Sequence, residues 1–230
     1  MSVENRLRIL EQEVISCELC PRLRAYCREI ARVKRRAFLD WDYWGRPVPG
    51  FGDPHARLLI IGLAPAAHGG NRTGRIFTGD RSGDWLYRAL YQTGFASQPH
   101  SISRDDGLVL TGAYVTASVR CAPPANKPAP DEIRNCRRYL ERELDILQDI
   151  RVVIALGQIA FNVYLSILKD RGVIRSRAAF AFGHDREHRT ADGYPLLISS
   201  YHPSQQNTST GKLTENMLRD VFTRARRHLV

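Results

Sequence analysis

No apolar run in this 230-residue chain approaches the roughly 20 residues needed to cross a bilayer, so a helical membrane anchor is not expected. The opening MSVENRLRIL also lacks the continuous apolar stretch of a secretory signal, and the expected location is cytoplasmic, away from any membrane. Internal repeats and low-complexity tracts are missing, which excludes a solenoid or a disordered tail as the main architecture. Cysteines number five, an odd count that excludes complete disulfide pairing. In a reducing compartment they read as thiols or metal ligands. Acidic side chains are the scarcer charge: 24 Asp and Glu against 34 Lys and Arg leave a net charge of +10. Such a balance suits a polyanionic partner but does not by itself identify one.

What is present reads as a single domain, residues 1–230, with an N-terminal helical and loop segment over 1–50. Leu7, Leu10, Val14 and Ile15 recur near helical spacing, and CELC interrupts the pattern before it resumes. Residues 41–52 (WDYWGRPVPGFG) form a Gly-, Pro- and aromatic-rich loop expected to lie on the body that follows. From there the chain alternates. Short apolar runs at RLLIIGL, AYVTAS, VVIAL and PLLISS have the composition of buried parallel strands. Helical patterns over 83–94, 130–147, 158–169 and 213–225 separate or follow them. The expectation is a three-layer α/β/α sandwich around a four-stranded, mostly parallel sheet, with a ligand site at the carboxyl ends of the strands. Residues 174–192 read as a charged, irregular surface stretch.

Cys17 and Cys20 form a C-x-x-C, whose two thiolates can face one metal or cluster. Cys121 and Cys136 are more loosely spaced, and Cys27 stands apart. Spacing leaves zinc and an Fe–S cluster equally open.

Chemistry is expected in the loops after the strands. Residues 62–85 follow the first strand and bring Arg72, Arg75, Phe77 and Asp80 close together among glycines. An enzyme acting on a flipped base needs an aromatic face and hydrogen-bonding groups at the base's edge. Phe77 supplies the face, and the backbone of Gly62, Leu63, Ala64 and Pro65 supplies the groups. After the fourth strand, His202 precedes a tract that includes Ser204, Gln205 and Asn207, suited to phosphates. The third loop, CAPPANKPAP, holds Asn126 and Lys127 among four prolines that stiffen it. A rigid connector with no contact to substrate is an equal reading for those two residues.

The set GLAPA, GRIFTGD, ANKP and HPSQQNTSTG, together with the four cysteines, resembles the family 5 uracil-DNA glycosylases, Fe–S members of the uracil-DNA glycosylase superfamily, over nearly the whole chain. The resemblance implies a prokaryotic, monomeric, monofunctional enzyme that cuts uracil and other deaminated bases from DNA. It implies a [4Fe–4S] cluster on Cys17, Cys20, Cys121 and Cys136, with Phe77 stacking the base and His202 contacting it as it leaves. Leu63 and Ala117 stand where the narrower family 4 enzymes have a glutamate and a uracil-reading asparagine, which implies a wider substrate range. Asp80 is the candidate anion for the sugar's developing positive charge; its plainer role is to cap the helix that follows. Arg75, Asn126, Lys127, Ser204, Gln205 and Asn207 are the candidate DNA contacts. Non-catalytic Fe–S binding of nucleic acid and zinc-dependent hydrolysis of nucleotides are the competing readings.

Overall fold

In the computed structural model, which describes residues 1–229, the sheet has six strands, ordered β1-β3-β2-β4-β6-β5. The elements in chain order are α1 (Val3–Ile15), α2 (Pro21–Val33), β1 (Phe51–Gly52), β2 (Leu58–Gly62), α3 (Gly70–Thr73), α4 (Arg81–Gln92), β3 (Ala113–Ala117), α5 (Pro130–Ile146), β4 (Val152–Leu156), α6 (Gln158–Asp170), β5 (Arg186–His188), β6 (Leu196–Ser200), α7 (Gln205–Ser209) and α8 (Glu215–Arg227).

The four parallel strands are the apolar runs read from sequence, and every residue in them is buried. Alternate side chains face opposite layers, as a strand's period of two requires. Leu58, Ile60, Val115, Val152 and Ile154 pack with Leu86 and Leu90 of α4 and with Leu218 and Phe222 of α8. Leu59, Ile61, Val153, Ala155 and Leu197 face Leu140 of α5 and Phe161 and Tyr164 of α6. Burial on both faces leaves no polar alternation, which is why these runs read as continuous apolar segments.

The expected four-stranded sheet needs correction. β1 pairs with β3 and β5 with β6, both antiparallel. Two residues in one case and three mostly polar ones in the other give no periodic signal. β5 lies inside the 174–192 stretch, which is therefore less irregular than its composition suggests.

A third apolar cluster ties the N-terminal segment to the body. Leu10, Val14 and Leu23 meet Val119, Tyr139 and Ile146, and all five cysteines belong to this cluster. Arg22 of α2 reinforces the junction through Glu132 of α5, with Nη2–Oε2 at 2.6 Å. Because β3 and β4 flank β2 on opposite sides, the strand order reverses about β2, and a crevice opens beyond the carboxyl ends there.

Candidate active site

That crevice is a cavity of about 540 Å³, lined by the segments following β2, β4 and β6. Leu63, Ala64 and Ala66 come from the first, Gly157 and Gln158 from the second, and Tyr201, His202, Ser204 and Asn207 from the third. Phe77, Asp80 and Asn126 complete the wall.

Phe77 owes its place to two unusual backbone features. Its own φ is +52°, a left-handed conformation that a bulky residue adopts only when its surroundings hold it there. Beneath the ring lies Gly62: a Cβ on that residue would come within 2.5 Å of the phenyl edge. On the other side His202 stacks on the ring, with centroids 5.6 Å apart and planes inclined by 30°. Asn207 holds the chain at His202 by donating from Nδ2 to its carbonyl at 2.9 Å. Ser204 caps the short helix α7 by accepting from the N–H of Asn207, so the expected loop contains a helical turn.

Asp80 is both a helix cap and a cavity group. One carboxylate oxygen accepts from the N–H of Gly83 at 3.1 Å, and the other lies so close to Gly69 that no side chain fits there. Burial pushes its pKa up to about 6, against the pull of the Gly83 and Ser82 N–H groups and the more distant Arg72 guanidinium; Asp84 pushes it further up. Burial pushes His202 the opposite way, down to about 4. At neutral pH the site therefore pairs a carboxylate with an uncharged imidazole. Its two nitrogens have no protein partner among the described residues and are available to a ligand.

Several other candidates stand elsewhere. Arg75 does not line the cavity: its guanidinium is 4 % exposed, binds both oxygens of Asp106 at 2.7 Å and bonds Ser101 and the carbonyl of Arg104. A buried charge must be paired, and this one is spent on fixing the loop around residue 104. Gly62, Pro65 and Ala117 are buried behind the cavity and do not line it. The Gly62 carbonyl is taken by the N–H and hydroxyl of Ser118. Lys127 is exposed and off the cavity, whereas Asn126, at φ +56°, reaches its rim. Gln205 is exposed and also lines the cavity. Phe182 and Tyr201, missed by the sequence reading, add aromatic surface; Phe182 was hidden in the charged 174–192 stretch.

Among the described residues, no group of three His, Cys, Asp or Glu side chains is gathered closely enough to hold a single metal ion. The cysteines nonetheless have the surroundings of cluster ligands. Cys136 Sγ accepts the N–H of Arg120 at 3.2 Å, and Cys20 Sγ accepts Nδ2 of Asn135 at 3.6 Å. Burial pushes the Cys136 thiol up to about 12, so a thiolate there requires a strong compensating cation. The buried guanidinium of Arg120, ion-paired to Glu143 at 2.6 Å, adds positive charge beside that sulfur. N–H donors and a buried arginine beside the sulfurs are surroundings that fit an iron–sulfur group.

The uracil DNA glycosylase superfamily profile matches residues 49–226. The chain is 50% identical over 216 residues to the type-5 uracil-DNA glycosylase of Thermus thermophilus, covering 94% of this chain and 95% of that protein. It is 50% identical over 212 residues to the type-5 enzyme of Mycobacterium tuberculosis, covering 92% and 77% respectively. For the type-5 enzyme of Pyrobaculum aerophilum the identity is 44% over 212 residues, covering 92% and 88%.

Proposed function

The chain belongs to the uracil-DNA glycosylase superfamily, in its type-5 branch, and we propose that it hydrolyses the N-glycosidic bond of uracil in DNA, leaving an abasic site. The observation that carries this reading is the meeting of Phe77, Asp80 and His202 in one cavity at the sheet's carboxyl edge. Bond cleavage leaves positive charge on the sugar and negative charge on the departing base. Asp80 supplies the anion for the first and orients the attacking water. His202, uncharged, donates an N–H to the base oxygen as charge builds. Phe77 holds the base plane, while the apolar Leu63 and Ala64 leave recognition of its edge to main-chain groups. A 540 Å³ cavity read in this way also admits deaminated purines.

Cys17, Cys20, Cys121 and Cys136 would hold a [4Fe–4S] cluster, supported by the N–H donors around them. When bound, the cluster fixes the N-terminal segment against the Cys121 loop, and hydrolysis itself needs no electron transfer. The protein is expected to act as a monomer.

The test is strand scission by alkali after incubation with a duplex oligonucleotide carrying one uracil. The wild-type chain is expected to make the strand labile. Asp80→Asn keeps the helix cap, since asparagine caps as well as aspartate, yet excision should slow by about 10² to 10⁴. A resistant strand with the wild-type protein would leave a DNA-binding module in place of an enzyme; undiminished activity in the variant would remove Asp80 from the chemistry.

A further inference from the structure

Asp80, Arg81, Asn126 and Gln205 have a second side. Besides bordering the base cavity, they form one wall of an adjoining groove of about 560 Å³. The opposite wall carries Tyr26 of α2 with Arg35 and Phe38 from the turn after it, and the groove also borders His68. Base excision as proposed above makes no use of this groove.

Its chemistry is that of an anion site. Arg35 and Arg81 are exposed, and among the described residues neither guanidinium is ion-paired. Lys34 and Arg36 flank Arg35 in sequence, Lys34 donating from Nζ to the carbonyl of Leu39 at 2.9 Å. His68 is oriented by Tyr43, whose hydroxyl lies 3.0 Å from Nδ1. Burial, with Arg35 and Arg72 nearby, lowers the His68 pKa and keeps the ring neutral. When the tyrosine hydroxyl donates to Nδ1, the ring proton is on Nε2, which has no protein partner among the described residues. Behind the groove the buried Arg72 bonds the carbonyls of His68 at 2.7 Å and Gly79 at 2.8 Å, clamped between the Phe38 and Trp41 rings, each 4.0 Å away. Among the described residues, the only carboxylates bordering the groove are Asp80 and Asp84.

We propose that this groove seats the nucleotide adjoining the excised one on the same strand, its phosphate held by Arg35, Arg81 and Nε2–H of His68. The inference rests on the base-removal reading, because the two cavities share Asp80 and Asn126 as their partition. A strand whose base enters one cavity has its neighbouring backbone at the other. Tyr26 and Phe38 then provide surface for the sugar or base.

The test measures binding to a duplex with one 2′-fluoro-2′-deoxyuridine, which resists cleavage, with single neutral methylphosphonates placed at successive phosphates on either side. Arg35→Ala, a change at an exposed residue, is expected to weaken binding about tenfold and to lower the slope of log affinity against log salt by about 1. One flanking methylphosphonate should weaken the wild-type complex to the same degree yet add little in the variant, and its position assigns the 5′ or 3′ side. Unchanged binding by Arg35→Ala, or losses that add at every position, would overturn the proposal. Uracil excision from an ordinary duplex is scored separately. Excision without coupling between Arg35 and a phosphate removes the groove alone, and coupling without excision removes base removal alone.

Discussion

Asp80 and His202 border one cavity, yet burial drives their protons in opposite directions, toward about 6 and about 4. With Asp80 as the anion proposed above, single-turnover rates should fall as the pH drops through about 6 with a one-proton slope, and His202→Ala should leave that midpoint in place. Asp80 also links stability to pH. Its native pKa is raised, so the folded state binds the extra proton between about 4 and 6; the stability this gives is complete at lower pH and is lost as pH rises through 6. Asp80→Asn should therefore match the wild type near pH 4 and be more stable at neutral pH, on the order of 2 kcal/mol in denaturant unfolding. Phe77, Asp80 and His202 were legible because each stands in an unusual loop directly after a buried strand. The burial of Arg75 was not legible because a sequence shows a charge and not its partner: Asp106 lies 31 positions further on, in a loop with no pattern linking the two.

Strands and helices that bury a whole face announce themselves, and all four central strands and the longer helices were readable for that reason. β1, β5 and α7 were not: the two strands take their pairing from neighbours, and the five-residue α7 buries no residue. The end of β2 shows how tightly strand and loop are fitted. Gly62 permits the Phe77 ring to lie over the strand, and His202 closes the space above it. Gly62→Ala should force the ring from its seat, costing about 1–3 kcal/mol of stability as an overpacked site does. Excision should fall by more than that loss of folded protein explains, measured as rate per folded molecule; a rate unchanged on that scale would show that the ring's position is unimportant.

At the scale of the molecule, the N-terminal segment is held to the sandwich through the cysteine cluster and the Arg22–Glu132 pair. If a [4Fe–4S] cluster completes that junction, anaerobically purified protein should contain about four iron atoms per chain, as such a cluster requires. Cys121→Ser should lose iron and colour and melt earlier. Zinc in place of iron would sink this assignment. The net charge of +10 was visible from composition, but composition could not tell which arginines face solvent and which, like Arg72, Arg75 and Arg120, are buried. The stacked pair of Phe77 and His202 also bears on how the enzyme chooses its targets. The imidazole already leans on the phenyl face assigned above to the base, so an incoming nucleobase would compete with a resident tenant for the same contact, one worth about 0.5–1.5 kcal/mol between aromatic rings. A well-paired cytosine faces that rivalry after losing its own partner, whereas a wobbling uracil arrives with less to give up, and discrimination starts at the doorway.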